Sequence, residues 1–263
     1  MLAHCILSVD YSADWNKTLD HLPAIKPLLG LQHLTLVYVV ETHKRPHIEG
    51  SGASAESRLK ALSAQLGKDL GISVDYEVRR GFAASEVLEA ARKLKANGII
   101  TLNKSHSSGR EFFLGNIAMN LARMTRLPLL MLSSDGAVVE PDAPILFATD
   151  GSTANRNAQN CFEAFMKQGG HGLAVWVDSD EHDDAEAAQH VLNDLTRRYP
   201  HVAARRLKGT ASREIADLSQ DERAALVIVG KRGSTPIAEL MLGSTAENIA
   251  RACRQPVLLV PSA

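Results

Sequence analysis

The chain has 263 residues, of which 45% are hydrophobic and 22% charged, and its formal net charge is -1. This balance excludes the basic excess of a nucleic-acid binder and the acidic excess of a disordered chain, and the length allows one large domain or two ordinary ones. Cys5, Cys161 and Cys253 are far apart and form no Cys-x-x-Cys pair, which excludes a disulfide framework or a zinc site and leaves them as small buried hydrophobes.

The first ten residues, Met-Leu-Ala-His-Cys-Ile-Leu-Ser-Val-Asp, carry no cationic region, secretory apolar stretch or cleavage site, so a cytoplasmic protein is expected. Apolar runs such as Leu34 to Val40 are too short to span a bilayer and suit buried parallel strands. The pattern predicts strand 4–9, helix 14–28, strand 33–40, helix 54–69, strand 73–78, helix 84–96, strand 98–102, helix 115–125 and strand 128–132. Ser133 to Asp142, rich in turn residues and followed by Ala143-Pro144, reads as a linker. Beyond it strands are expected near 144–149, 171–177, 202–207, 224–229 and 256–260, with helices between them. Strands alternating with helices imply parallel sheets with crossover helices.

The two parts repeat one another. Leu-Ala-Arg-Met-Thr-Arg-Leu-Pro-Leu-Leu at 121–130 matches Ile-Ala-Arg-Ala-Cys-Arg-Gln-Pro-Val-Leu at 249–258, an offset of 128 residues. The same offset relates Gly81-Phe-Ala-Ala-Ser-Glu-Val to Gly209-Thr-Ala-Ser-Arg-Glu-Ile, and Gly115-Asn116 to Gly243-Ser244. Several elements repeating in one order indicate duplication, with a boundary near residue 138 and units of residues 1–138 and 139–263. The openings around Asp10-Tyr-Ser12 and Asp150-Gly-Ser152 correspond at an offset of 140, so the first copy is about 12 residues longer, an excess expected within His43 to Ser54.

Binding chemistry concentrates in the second copy. Gly230-Lys-Arg-Gly233 follows a buried strand, and Gly243-Ser244-Thr245 opens the last helix, giving G-x2-G-x9-G-S. Glycines after a strand let backbone N–H groups form an anion nest, and a helix N-terminus adds unpaired N–H groups and a positive dipole end. Phosphate suits this arrangement. Ser244 and Thr245 add hydroxyl donors, and Lys231 or Arg232 could neutralise charge at the mouth or point to solvent. In an open sheet of order 3-2-1-4-5, ligands lie at the switch point between strands 1 and 4, where Asp150 and Gly230 would meet. A nucleotide fits an acidic acceptor beside a phosphate cradle better than bare phosphate does.

These features resemble the universal stress protein family in a tandem form, over essentially the whole chain. The likeness rests on I-L-x-x-x-D-x-S, seen as Asp10/Ser12 and Asp150/Ser152, on the Gly-x-Ala-x-x-Glu segments, and on the closing glycine motif followed by Pro256-Val-Leu-Leu-Val260. It implies an α/β fold of two tandem open parallel five-stranded sheets, order 3-2-1-4-5, flanked by helices. It also implies that two such domains pair through the last strand, which makes a homodimer an option that the tandem arrangement could instead satisfy internally. In the nucleotide-binding branch of the family, the motif holds the ribose and phosphates of ATP, with magnesium carried by the nucleotide. Carried over, this nominates Asp150, Gly230, Gly233, Gly243, Ser244 and Thr245.

A small aliphatic residue usually contacts adenine near the end of strand 2. Alignment sets Trp176 there in the second copy and Val39 in the first, and Trp176 either stacks on adenine or fills the pocket. The first copy has Asn103-Lys-Ser-His106-Ser-Ser-Gly109-Arg-Glu-Phe-Phe-Leu-Gly115-Asn116 in place of the motif, lacking the first two glycines and one residue short, so no ATP site of the family type is expected there. Asp10 reads equally as a ligand contact and as a strand-end or helix-capping residue, because its loop partner is degraded. Lys104, His106, Ser107, Ser108 and Arg110 read as a hydrophilic loop, and the Pro46 between His43 and His47 opposes the helix that would join them. Glu181-His-Asp-Asp184 reads as a solvated helix start, so no metal site is nominated.

The leading reading is a cytoplasmic stress-response protein that binds ATP in its second copy, a binder before a catalyst, with an adenine nucleotide as partner and neither nucleic acid nor membrane. The alternative is a nucleotide-independent scaffold. No G-x4-G-K-[ST] loop and no carboxylate positioned to activate water support an ATPase, so no catalytic residue is nominated. No G-x-G-x-x-G after a first strand supports a dehydrogenase.

Overall fold

A computed structural model describes residues 2–12, 15–41, 52–103, 117–133, 136, 139–140, 142–178, 185–233 and 242–262. The first half contains β1 (His4–Val9), α1 (Trp15–Leu19), α2 (Leu22–Leu29), β2 (His33–Val40), α3 (Gly52–Leu70), β3 (Ser73–Arg80), α4 (Ala83–Lys93), β4 (Gly98–Asn103), α5 (Ile117–Met124) and β5 (Leu129–Ser133). The second contains β6 (Ile145–Ala148), a 3-10 turn (Thr153–Asn155), α6 (Arg156–Met166), β7 (Gly172–Asp178), α7 (Ala185–Arg198), β8 (Val202–Lys208), α8 (Ala211–Asp221), β9 (Leu226–Gly230), α9 (Ser244–Ala252) and β10 (Val257–Val260). The single helix expected over 14–28 is two, because Pro23 stands in the first turn of α2, where its missing N–H costs nothing and its ring starts a new helix.

The described strands form one sheet of ten, in the order β3-β2-β1-β4-β5-β10-β9-β6-β7-β8. Each half is parallel and has the expected order 3-2-1-4-5. The two five-stranded parallel halves join edge to edge into this one sheet, because β5 and β10 pair antiparallel, Met131 with Val257 and Leu129 with Leu259. This seam takes up the last-strand edge of both halves, so the pairing that the resemblance implies is made inside one chain.

Helices cover both faces, which is why the central strands read as continuous apolar runs. On one face Trp15, Ile25, Leu59, Phe162 and Leu192 from α1, α2, α3, α6 and α7 pack on Leu34, Phe147 and Ile228. On the other, Val87, Leu121, Ile215 and Ile249 from α4, α5, α8 and α9 pack on Ile6, Ile99, Val175 and Val227. The repeated Gly-x-Ala-x-x-Glu segments turn each third strand into the following helix. A Cβ at Gly81 or Gly209 would stand 3.0 or 2.9 Å from the carboxylate of Glu86 or Glu214, which packs over that backbone.

Strand register refines the repeat. Val9 pairs with Tyr38 and Tyr38 with Val78. In the second half Ala148 pairs with Val175, so Thr149 stands level with Trp176, which pairs with Arg206. Tyr38 therefore corresponds to Trp176 and Val78 to Arg206. Two of the extra residues lie between β1 and β2 and ten between β2 and β3. Most of the stretch expected to hold them all, His43 to Ser54, is outside the described residues.

Candidate functional site

At the C-terminal ends of β6 and β9, the two central strands of the second half, the order of strands reverses and the chain leaves the sheet on both sides. Asp150 follows β6, and its Oδ1 accepts the Ser152 N–H at 3.0 Å, which fixes the carboxylate locally. Its Oδ2 lies over Gly233, where a Cβ would stand 2.5 Å away. Residues 83 positions apart thus converge, and any larger residue at 233 would displace the carboxylate.

Gly243 closes the cradle. Its N–H donates to Lys231 O at 2.8 Å and its carbonyl accepts the Glu247 N–H at 2.9 Å, so it caps α9 and ties the helix start to the loop after β9. A Cβ there would stand 3.3 Å from Lys231 O, so glycine lets helix and loop approach closely. Ser244 and Thr245 occupy the exposed first turn, where N–H groups lack intrahelical partners and the helix dipole is positive. An anion is the natural complement of that end. Gly230 has another neighbour, because a Cβ there would stand 2.6 Å from Asn155 Oδ1.

Asn155 carries no motif signal, yet it is only 6% exposed. Its Nδ2 donates to Ala148 O at 3.2 Å, while its Oδ1 and the buried Ser152 Oγ have no hydrogen-bond partner. Buried acceptors beside a helix N-terminus fit a ligand with both anionic and hydroxyl or amino groups. A spacing that could have drawn attention to Asn155 is its place five residues after Asp150.

Trp176 does not join this site. It is 1% exposed and belongs to the core face under α6 and α7, while Arg206 lies 4.5 Å from its ring centre. The register makes Val177 the counterpart of Val39, and both pack on the opposite face. A one-residue slip in the sequence alignment exchanged the two faces of β7.

Lys231 is not a cation at the mouth. It is 5% exposed, and its ammonium donates to Thr125 O in the first half at 2.6 Å. Burial first, and the neighbouring Arg232 second, push it down to about 8. Arg232 is partly exposed and Gly233 exposed. Residues 234–241, between Gly233 and Gly243, are outside the described set.

The glycine loop of the first half differs from that of the second in its residues, not in its length. Ile99 pairs with Leu129 as Val227 pairs with Val257, so Leu102 corresponds to Gly230 and Asn103 to Lys231. No residue is missing from the first loop, contrary to the sequence reading. Leu102 is buried where the second half has glycine, and Tyr11 stands where it has Gly151, with Arg58 stacked 4.1 Å from the Tyr11 ring centre. Asp10 Oδ1 accepts the Ser12 N–H at 2.9 Å, a strand-end turn identical to that at Asp150. Lys104 to Asn116, His43, His47 and Glu181 to Asp184 lie outside the described residues. Among the described residues no group of three or more His, Cys, Asp or Glu could hold a metal, and no helix is long and apolar enough to cross a membrane.

Comparison with known proteins agrees with this architecture. The family model described as universal stress protein family matches residues 16–133 and 162–261. A universal stress protein of Mycolicibacterium smegmatis is 24% identical over 256 residues, covering 88% of this chain and 86% of that one. One from Mycobacterium tuberculosis is 28% identical over 165 residues, 56% of this chain and 55% of the relative. The crystal structure of a universal stress protein from Archaeoglobus fulgidus superposes with a TM-score of 0.81 at 19% identity, covering 99% of this chain and 96% of the other.

Proposed function

The chain belongs to the universal stress protein family, and from that membership we propose that it binds ATP, with magnesium carried on the phosphates, in the second of two domains, residues 1–138 and 139–263, as a cytoplasmic stress-response regulator. The observation that carries this reading is the Asp150 carboxylate lying over Gly233, beside the open N-terminus of α9, at the switch point of the sheet. The α9 N–H groups with Ser244 and Thr245 would hold phosphate oxygens, and Asp150 would accept hydroxyl protons from the sugar. Val177, not Trp176, would border the base. The first domain, with Leu102 and Tyr11 at glycine positions, would hold no nucleotide in this manner.

The test is calorimetric titration of MgATP into nucleotide-stripped wild type and Gly243→Val. A valine at 243 meets the Lys231 carbonyl and covers the helix end, whereas Gly230→Val would also strike Asn155 and confound binding with folding. The expected result is saturation at one site per chain, abolished in a variant whose circular dichroism is unchanged. Wild type that takes up no MgATP would refute the reading in favour of a nucleotide-independent scaffold.

A further inference from the structure

The glycine loop of the second half is built partly on the first. Lys231 lies between Gly230 and Gly233, and its backbone is committed on both sides: its N–H donates to Val260 O at 2.8 Å and its carbonyl accepts the Gly243 N–H at 2.8 Å. Its side chain then crosses to Thr125 O at 2.6 Å. Thr125 N–H donates to Leu121 O, so Thr125 ends the last turn of α5, and its carbonyl lies at the negative end of that helix. The ammonium's partner is therefore a helix C-terminus of the other half. Burying a lysine is costly, and the bond to the Thr125 carbonyl offsets part of that cost.

A second contact ties α9 to the same helix, α5. Arg123, on α5, reaches Glu247 in the first turn of α9 at 2.8 Å, and Arg251 grips the same Glu247 oxygen at 2.7 Å. Glu247 also donates its N–H to Gly243 O. Loop and helix, the two walls of the cradle, are thus each fastened to α5.

We infer that Lys231 is a positioning residue for the ligand site: it holds the glycine loop and the start of α9 against the end of α5, so the first half serves as the rigid support on which the second half binds. The inference rests on the ligand reading above for its functional consequence, and on the geometry alone for the positioning. By linkage, a ligand that orders the cradle stabilises α5, and whatever disturbs α5 weakens the ligand by the same factor.

The experiment is hydrogen exchange read by mass spectrometry on the full chain, with and without MgATP, for wild type, Lys231→Met and Lys231→Arg. Without nucleotide, Lys231→Met should raise exchange at the Gly243 and Glu247 amides and in the last turn of α5 by about tenfold, the scale of losing one charge-assisted hydrogen bond, while β7 and β8 stay unchanged. Lys231→Arg, which keeps the cation, should remain much nearer to wild type. MgATP should slow exchange in α5 of the wild type, and calorimetry should find Lys231→Met binding about tenfold more weakly. Exchange in Lys231→Met that is unchanged, or raised uniformly over the whole chain, overturns the positioning role. MgATP binding to wild type without any response in α5 overturns it as well, and needs no variant. If wild type binds no MgATP, the nucleotide reading falls, and the nucleotide-free comparison alone decides the positioning role.

Discussion

Gly151 and Gly169 offer a matched pair of perturbations. Both have left-handed backbones, with φ of 77° and 87°, so replacing either by alanine incurs the same conformational penalty of about 1 kcal/mol or slightly more. Their surroundings differ. A Cβ at Gly169 meets nothing within 4 Å, whereas one at Gly151 would stand 2.3 Å from Ala188 N and 2.8 Å from the carbonyl carbon of Ala187, backbone atoms of α7. Relieving that contact requires α7 to retreat by about 1 Å, an overpacking strain of about 1–3 kcal/mol. Gly169→Ala should therefore cost about 1 kcal/mol and Gly151→Ala about 3 kcal/mol, read from urea unfolding by circular dichroism. The first half supplies a natural control: Tyr11 occupies the equivalent position at φ of 50°, so the backbone conformation alone does not demand glycine. Equal losses in the two variants would refute the claim that the approach of α7, not the dihedral, fixes residue 151.

Three further outcomes follow from burial and topology. Lys231 in the folded chain gives up its proton near 8, well below an unfolded lysine, so the folded state binds fewer protons between those values; stability should rise with pH from about 8 to about 10.4 by about 3 kcal/mol, and pH-dependent melts of Lys231→Met should lack that rise. Burial pushes the Cys5 and Cys253 thiols up to about 12 and Cys161 up to about 11, so a disulfide reagent at pH 8 should label none of them in the folded protein and all of them after denaturation; rapid labelling of native protein would contradict the packing. A fragment of residues 1–138 would leave the apolar β5 edge unpaired, so gel filtration should find it self-associated, and a monomer at micromolar concentration would count against the seam as a stabilising contact.

What the sequence made legible was set by local periodicity and what it hid was set by register and long-range packing. The central strands, buried on both faces, stand out as apolar runs, and the duplication stands out because α5 and α9 with their following strands kept the same residues. Asp150, Gly233 and Gly243 were legible because a known strand order makes the ends of β6 and β9 meet. Trp176 was misplaced because adjacent residues of a strand face opposite ways, and a slip of one position moves an aromatic from core to crevice. Asn155 was missed although it stands five residues after Asp150, because its contact is with the bare Cα of a glycine 75 positions away.

The destination of Lys231 was the hardest to read, because it depends on an antiparallel seam that no local pattern encodes. Between two glycines at the mouth of an anion site, a lysine suggests charge neutralisation. The seam instead sets the end of α5 beside the loop, and the carbonyl of Thr125 captures the ammonium. The counterpart of Lys231 in the first half is Asn103, and the counterpart of Thr125 in the second is Cys253. Neither repeats the original pair, so the duplication is symmetrical in fold while the link across the seam is one-sided: it fastens the half that keeps Gly230 to the half that has replaced it with Leu102. That asymmetry matches the proposed site, which needs an open glycine loop in the second half and none in the first.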